Sequence, residues 1–441
     1  MWTDLRQGTS RSLGARPIQS PGVWLIDGYA DNGPMDTDKT KLNALAKLHT
    51  DDSIVQNKLE GCRRRAVSDQ ITTYVDKTGK TSTLGVMTCQ LLHLCSDCAE
   101  RDAGPVAARL ARRIEAWQHL GHTVLMLTLT VPHDRGDRLD DVATWIAAGH
   151  RAVLVGSART RLKRFGLRHV FRRSETDWSG KGGWHPHEHL ILYCRGTLTT
   201  EQIEDLRQDL SGRFLRAITR AGATRLEKAG DHAVHLREVA PGDGTKVAAY
   251  LTKTTVWGGE VTGAHQILAM LGEHDVSQGE DRCACGRCRW LRDMWSEYVS
   301  WTRASKRRRY AEPSKIDADL ADQGVETPTE APKPKRRATS LIDRLGWEYA
   351  VLLDCQEEVV QAAAVGGHED ARLVLSGRLI AAGMPVTEAI GNAMVWIQPP
   401  PIEVAEPTSG GDGPSNPEGP QATSWWRRYL RRLSLRRYPT R

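Results

Sequence analysis

The chain has 441 residues, room for two or three domains with a substantial core. Its 61 Lys and Arg outweigh 54 Asp and Glu to give a net charge of +7, an excess that suits phosphate recognition but does not by itself specify it. No apolar segment follows Met1 and no run approaches the roughly 18 apolar residues of a membrane span, so the expectation is a soluble, cytoplasmic protein.

Nine cysteines in a reducing compartment point to metal ligation rather than disulfides, and seven of them fall in two clusters. Residues 1–60 are rich in Gly, Pro, Asp and Thr and read as a flexible lead-in, with a short helix over 41–48. Cys62 and Cys89 follow, and then Cys95-Ser96-Asp97-Cys98, a C-x2-C knuckle that lets two thiolates bind one tetrahedral zinc. Together the four cysteines supply a closed structural site, and residues 61–102 read as a zinc-knuckle module.

Val106, Leu110, Ile114 and Trp117 recur at helical spacing, which predicts a helix over 103–120. A strand follows over 123–131, where Leu125, Leu127 and Leu129 alternate with Met126, Thr128 and Thr130. The pattern then predicts a helix over 139–165. A strand over 167–177 and the glycine-rich turn 178–183 lead straight into Trp184-His185-Pro186-His187-Glu188-His189-Leu190-Ile191-Leu192-Tyr193. On a strand His185, His187 and His189 share one face, and three imidazoles on one face are costly to bury without a common partner such as a divalent metal. The hairpin also brings Glu175 near them as a candidate carboxylate ligand, with His185 as its competitor.

Thr200 can cap a helix from 201 to about 220, and a strand over 233–239 is expected next. In Thr245-Lys246-Val247-Ala248-Ala249-Tyr250-Leu251-Thr252-Lys253, Tyr250 and Lys253 lie three apart on one helix face. Cys283, Cys285 and Cys288 form the second cysteine cluster, one ligand short of a tetrahedral site, with His274 or His265 available as the fourth. The composition of 311–339 reads as a linker, 340–397 as a small helical unit, 398–424 as a second linker, and 425–441 as a basic tail mixing aromatics with arginine. Basic runs recur at 163–173, 303–309 and 333–337, and no G-x4-G-K-[ST] spacing occurs, which argues against an intrinsic motor.

The order of a cysteine knuckle, the Leu127-Thr128-Leu129-Thr130-Val131-Pro132-His133 strand, Glu175, the histidine strand and Ala248-Ala249-Tyr250-Leu251-Thr252-Lys253 resembles the rolling-circle replication initiators of plasmids from high-GC Gram-positive bacteria. These are members of the HUH endonucleases, and the resemblance spans roughly residues 60–260. It implies a central antiparallel sheet with flanking helices, an α+β fold over 103–310 that lies between the small zinc module and the helical C-terminal unit read from composition; residues 311–441 show no such resemblance. It implies His187 and His189 as the metal pair, Glu175 as third ligand, Tyr250 as nucleophile and Lys253 as its neighbouring cation. Implied cofactors are Mg²⁺ or Mn²⁺ at the catalytic site and Zn²⁺ at Cys62, Cys89, Cys95 and Cys98. Implied partners are plasmid origin DNA and a host helicase and polymerase. Three departures are visible, one being that a single tyrosine, Tyr250, stands in the motif, which leaves the route of termination open. Glu188 stands between the two histidines where the family usually carries an apolar residue, and Lys246 stands where some relatives carry a glutamate. An HUH transposase or relaxase would share these parts, and a zinc-stabilised DNA-binding repressor would use the histidines structurally.

Overall fold

The computed structural model describes residues 39–77, 79, 81–224, 233–257, 260–278, 282–305, 308–325 and 336–400. The basic tail 425–441 and most of the expected lead-in lie outside the described residues.

The architecture is α+β with antiparallel sheets. Its centre is a five-stranded sheet in the order Val234–Glu238, Thr123–Thr130, Gly183–Cys194, Leu167–Ser179, Tyr310–Ala311, with each neighbouring pair antiparallel. Alternation along the strands sends apolar residues to two separate cores. On one face Leu125, Leu127, Leu129, Leu190 and Leu192 pack under the helices Leu139–Leu154 and Thr200–Arg220. On the other, Val124, Met126, Ile191 and Tyr193 pack under Ser96–His119 and Gly244–Leu251. His187 and His189 continue the odd-numbered series of the second face, so they emerge on the same side of the sheet as the helix that carries Tyr250.

Local chemistry accounts for the element ends. Thr199, not Thr200, caps its helix: Thr199 Oγ1 accepts from the Gln202 amide and Gln202 Oε1 accepts from the Thr199 amide, a reciprocal capping box. The helix expected over 139–165 is interrupted after Leu154, where Gly156 takes φ 63°, a left-handed conformation, and resumes as Ser157–Leu162 with a final 3-10 turn, Lys163–Phe165.

The short helix expected over 41–48 is present as Lys39–His49, while other stretches expected to be irregular are also structured. Helices Lys39–His49 and Ser53–Gly61 bury Leu42, Ala46, Val55 and Leu59 in a third core, shared with the cysteine module and the helices His265–Gln278 and Gly286–Ser305. The expected linker 311–339 contains the helix Ile316–Ala321, which buries Ile316 and Leu320, and Arg113 of the helix Ser96–His119 forms ion pairs with Glu312 and Asp317. The expected C-terminal unit is not purely helical. Its strand Arg336–Asp343 pairs antiparallel with Gln70–Asp76, inside the expected zinc module, in a sheet that Thr81–Leu84 and Ile397–Gln398 complete. Helices Arg344–Leu352, Gln356–Ala381 and Val386–Trp396 cover that sheet. Propensity gave no sign of this pairing, because its two strands lie far apart in sequence.

One glycine reports the packing of the central layer. A Cβ at Gly149 would lie 2.2 Å from Cε2 of Phe214 on the neighbouring helix. Helix propensity alone would make Gly149→Ala stabilising by about 1 kcal/mol. We expect the opposite sign, a loss of about 1–3 kcal/mol from overpacking, read as a lower midpoint in urea denaturation.

Candidate metal and nucleophile site

The hairpin Leu167–Ser179/Gly183–Cys194 sets the site. Its register pairs Glu175 with His187 and Arg173 with His189, while Thr128 and Thr130 face the same two histidines from the other side. Directly paired residues project to the same face, so these side chains converge. Donor atoms of Glu175, His187 and His189 all lie within 4.8 Å of one another, and all three residues are buried. Glu175 Oε2 is 3.3 Å from His187 Nε2 and 3.7 Å from His189 Nε2.

The Nδ1 atoms have other partners. His187 Nδ1 is 3.1 Å from the His185 carbonyl, and His189 Nδ1 is 3.0 Å from Thr128 Oγ1. Occupied Nδ1 atoms orient the Nε2 lone pairs inward, the arrangement that metal-binding histidines need. Glu175 Oε2 and His189 Nε2 are buried yet make no hydrogen bond among the described residues. Leaving two such atoms unsatisfied costs energy, and a divalent cation between them would satisfy both. Two imidazoles and a carboxylate could hold a divalent cation and leave positions on it for other ligands.

His185 takes a different place. Its Nδ1 is 2.7 Å from His133 Nε2, so the two rings pair with each other, and its own burial followed by the charge of His187 lowers its pKa to about 3. Glu188 faces away from this site, fully buried on the opposite side of the sheet. There it lies 2.5 Å from His150 Nδ1, with Ser174 Oγ at 3.4 Å and Arg172 at 3.7 Å. A buried carboxylate is tolerable when paired, and this one is.

Cations surround the carboxylate on the metal side. Arg173 is 3.0 Å and Lys253 3.1 Å from Glu175 Oε1. Burial opposes ionisation of Glu175, but Arg173, His187 and Lys253 outweigh it and hold its carboxyl well below the ordinary range. Burial likewise opposes the charge on His187, yet Glu175 beside it, helped by Asp177, raises its pKa above the ordinary value. Burial and then the charge of His187 hold His189 neutral, well below its usual pKa.

Tyr250 sits on the last turn of Gly244–Leu251, its ring 5.3 Å from the His189 ring and edge-on to it. Lys253 Nζ lies 5.3 Å from the centre of the tyrosine ring. Burial raises the pKa of the Tyr250 phenol, and Lys253 opposes that rise without cancelling it. Arg173 holds this segment in place by donating to the carbonyls of Tyr250 and Lys253, and Arg309 donates to the Lys253 carbonyl from the other side. Sequence reasoning missed Arg173 and Asp177 as site residues. Their signal was available in the alternation Arg173, Glu175, Asp177 along one strand face.

The first cysteine cluster is also assembled. Cys62 Sγ lies 3.7 Å from Cys95 and 3.6 Å from Cys98, and Cys89 lies 3.5 Å from Cys98. Hydrogen bonds from Cys62, Cys89 and Cys95 hold the Cys98 thiol low, while hydrogen bonding with Cys62 pushes Cys89 and Cys95 up. Four sulfurs this close cannot all ionise without a cation, and a tetrahedral zinc is the partner their number and spacing suit.

No family model and no solved structure matches the chain. It is 23% identical over 365 residues to a Streptomyces lividans protein described as "Protein rep", a match covering 66% of this chain and 78% of that protein. It is 22% identical over 143 residues to a Streptomyces cyanogenus protein described as "Neomycin resistance protein", covering 27% of this chain and 33% of that protein.

A metal can bind His187 only once its ring is neutral, and its pKa is raised above 6.5. Mn²⁺ affinity, measured by calorimetric titration, should therefore climb with pH above 6.5 and level off once His187 has lost its proton. Glu175→Gln should weaken the binding by at least about tenfold.

Proposed function

We propose that this chain is a plasmid replication initiator that nicks one strand of its origin DNA, with Tyr250 as nucleophile. In this reading Glu175, His187 and His189 hold a divalent cation, and Cys62, Cys89, Cys95 and Cys98 hold a structural zinc. The observation that carries the reading is the convergence of two imidazoles and a carboxylate, with unsatisfied atoms aimed at one point, beside a tyrosine and a lysine. Likeness to the Streptomyces lividans protein described as "Protein rep" supports a replication role over transposition or conjugative transfer. A non-enzymatic repressor would use these inward-facing atoms only to hold a structural metal, and would leave the adjoining Tyr250 and Lys253 without a task.

A DNA phosphodiester repels nucleophiles through its own negative charge. Mg²⁺ or Mn²⁺, when bound, supplies Lewis-acid neutralisation of that charge. Tyr250 Oη attacks the phosphorus and gives up its phenolic proton to solvent. The bond from phosphorus to the 3′ oxygen breaks, and that oxygen leaves and takes up a proton. The products are a 5′-phosphotyrosyl link and a free 3′-hydroxyl that a host polymerase extends. Lys253 contributes positive charge beside the phenol, which is otherwise a poor nucleophile at neutral pH. Arg173 positions Tyr250 and Lys253 through their carbonyls. Attack of a 3′-hydroxyl on the phosphotyrosyl bond reverses the step, so rejoining needs no ATP. Strand separation is left to a host helicase.

The test is a nicking assay on supercoiled plasmid and single-stranded origin oligonucleotides, comparing wild type with Tyr250→Phe in Mn²⁺ and in EDTA. We expect a covalent 5′ adduct that needs both the hydroxyl and the metal, with Tyr250→Phe at least about 10³-fold slower. Origin binding without cleavage by the wild type under any divalent metal would establish the repressor instead.

A further inference from the structure

The second cysteine cluster lies in neither the histidine site nor the first cysteine site. Cys283 and Cys285 lie just before the helix Gly286–Ser305 and Cys288 in its first turn, and His274 belongs to His265–Gln278 packed beside it. Their ligand atoms lie within 4.8 Å of one another. His274 Nδ1 is 3.1 Å from Cys288 Sγ and 3.9 Å from Cys285 Sγ. A zinc with ordinary bond lengths would set such sulfur-to-nitrogen separations at about 3.5 Å, between these two values. The alternative fourth ligand is engaged elsewhere: His265 Nε2 lies 3.3 Å from the Leu94 carbonyl.

The backbone is arranged for thiolates. The Cys285 amide donates to Cys283 Sγ and the Cys288 amide to Cys285 Sγ, at 3.5 and 3.4 Å. Cys283 itself is fixed from both sides, its amide donating to Asp275 Oδ1 and its carbonyl accepting from Arg292. The loop is thus shaped by contacts independent of any metal.

We propose that His274, Cys283, Cys285 and Cys288 form a second zinc site, a structural staple between two helices. Its position gives it a task. The stapled helix Gly286–Ser305 backs the start of the histidine strand: Tyr298 stacks on Trp184, and Glu297 accepts hydrogen bonds from Trp184 Nε1 and from the Leu139 amide. Trp184 immediately precedes His185, so fixing one end of this helix fixes the wall against which that strand begins. The proposal does not rest on the nicking chemistry.

The test counts zinc by mass spectrometry in full-length protein purified under reducing conditions. His187→Ala/His189→Ala serves as the background, so that the histidine site contributes none. We expect two zinc ions per chain in that background, one after adding Cys285→Ser/Cys288→Ser, and one after adding Cys95→Ser instead. A single zinc that only Cys95→Ser removes would overturn the proposal, as would two zinc ions unaffected by Cys285→Ser/Cys288→Ser. Should the serine variant fail to fold, the cobalt-loaded protein decides. His274→Cys changes three sulfurs and one nitrogen into four sulfurs, so its visible cobalt bands should shift while two metals are retained. Bands unchanged by His274→Cys would overturn the site.

Discussion

The register of one hairpin governs the candidate site. Side chains alternate with a period of two along a strand, so a slip by one residue in Gly183–Cys194 would exchange its two faces. Glu188 would then enter the histidine cluster, and His187 and His189 would be driven under Leu139–Leu154. Turn chemistry resists that slip. Gly183 adopts φ 77°, and a Cβ there would meet the Arg135 backbone at 2.8 Å, so only glycine fits. Ser179 Oγ accepts the Gly182 amide at 2.9 Å and closes the turn. Each face also has its own polar partners, Thr128 for His189 and His150 for Glu188, and neither set would serve the other.

Electrostatics divide along the same plane. The histidine side gathers Arg173, Lys253 and His187 around the buried carboxylate of Glu175, with Asp177 3.9 Å from His187 beyond it. Charges taken out of water are stabilised only by close partners, so the cluster holds together as a set and a change in one member is felt by all. Arg173 links this set to the backbone. Its Nη2 meets both Glu175 and the Lys253 carbonyl, and its Nη1 donates to the Tyr250 carbonyl at the end of the tyrosine helix. The geometry of Tyr250 relative to the histidines is therefore set through a strand residue rather than by the helix alone.

Much of this was legible in the sequence because it is local. The alternating histidines, the apolar spacing of the helices and the knuckle at Cys95 and Cys98 each declare themselves within a few residues. The cap expected at Thr200 falls one residue early, at Thr199: either hydroxyl has the right chemistry, and only the backbone conformation selects between them. What stayed hidden was non-local. Arg336–Asp343 follows a polar, proline-containing stretch and becomes a strand because Gln70–Asp76 offers it an edge, with Thr73 Oγ1 2.8 Å from Ser340 Oγ inside the pair. His274 showed the same limit: its choice over His265 was made by helix packing, not by spacing.

That long-range strand pairing bears on how the protein is made. During synthesis the hairpin Gln70–Asp76/Thr81–Leu84 emerges early, but its partner strand and the three helices that cover it are among the last described residues. Until they arrive, one edge of the hairpin shows unpaired amides and carbonyls, and Ile71 has no apolar cover from Ile342 and Trp347. Non-local closure of this kind is slow and leaves a nascent chain open to wrong pairings. Translation that stops short of Arg336–Asp343 would thus release a chain with an adhesive edge, open to a cell's chaperones and proteases.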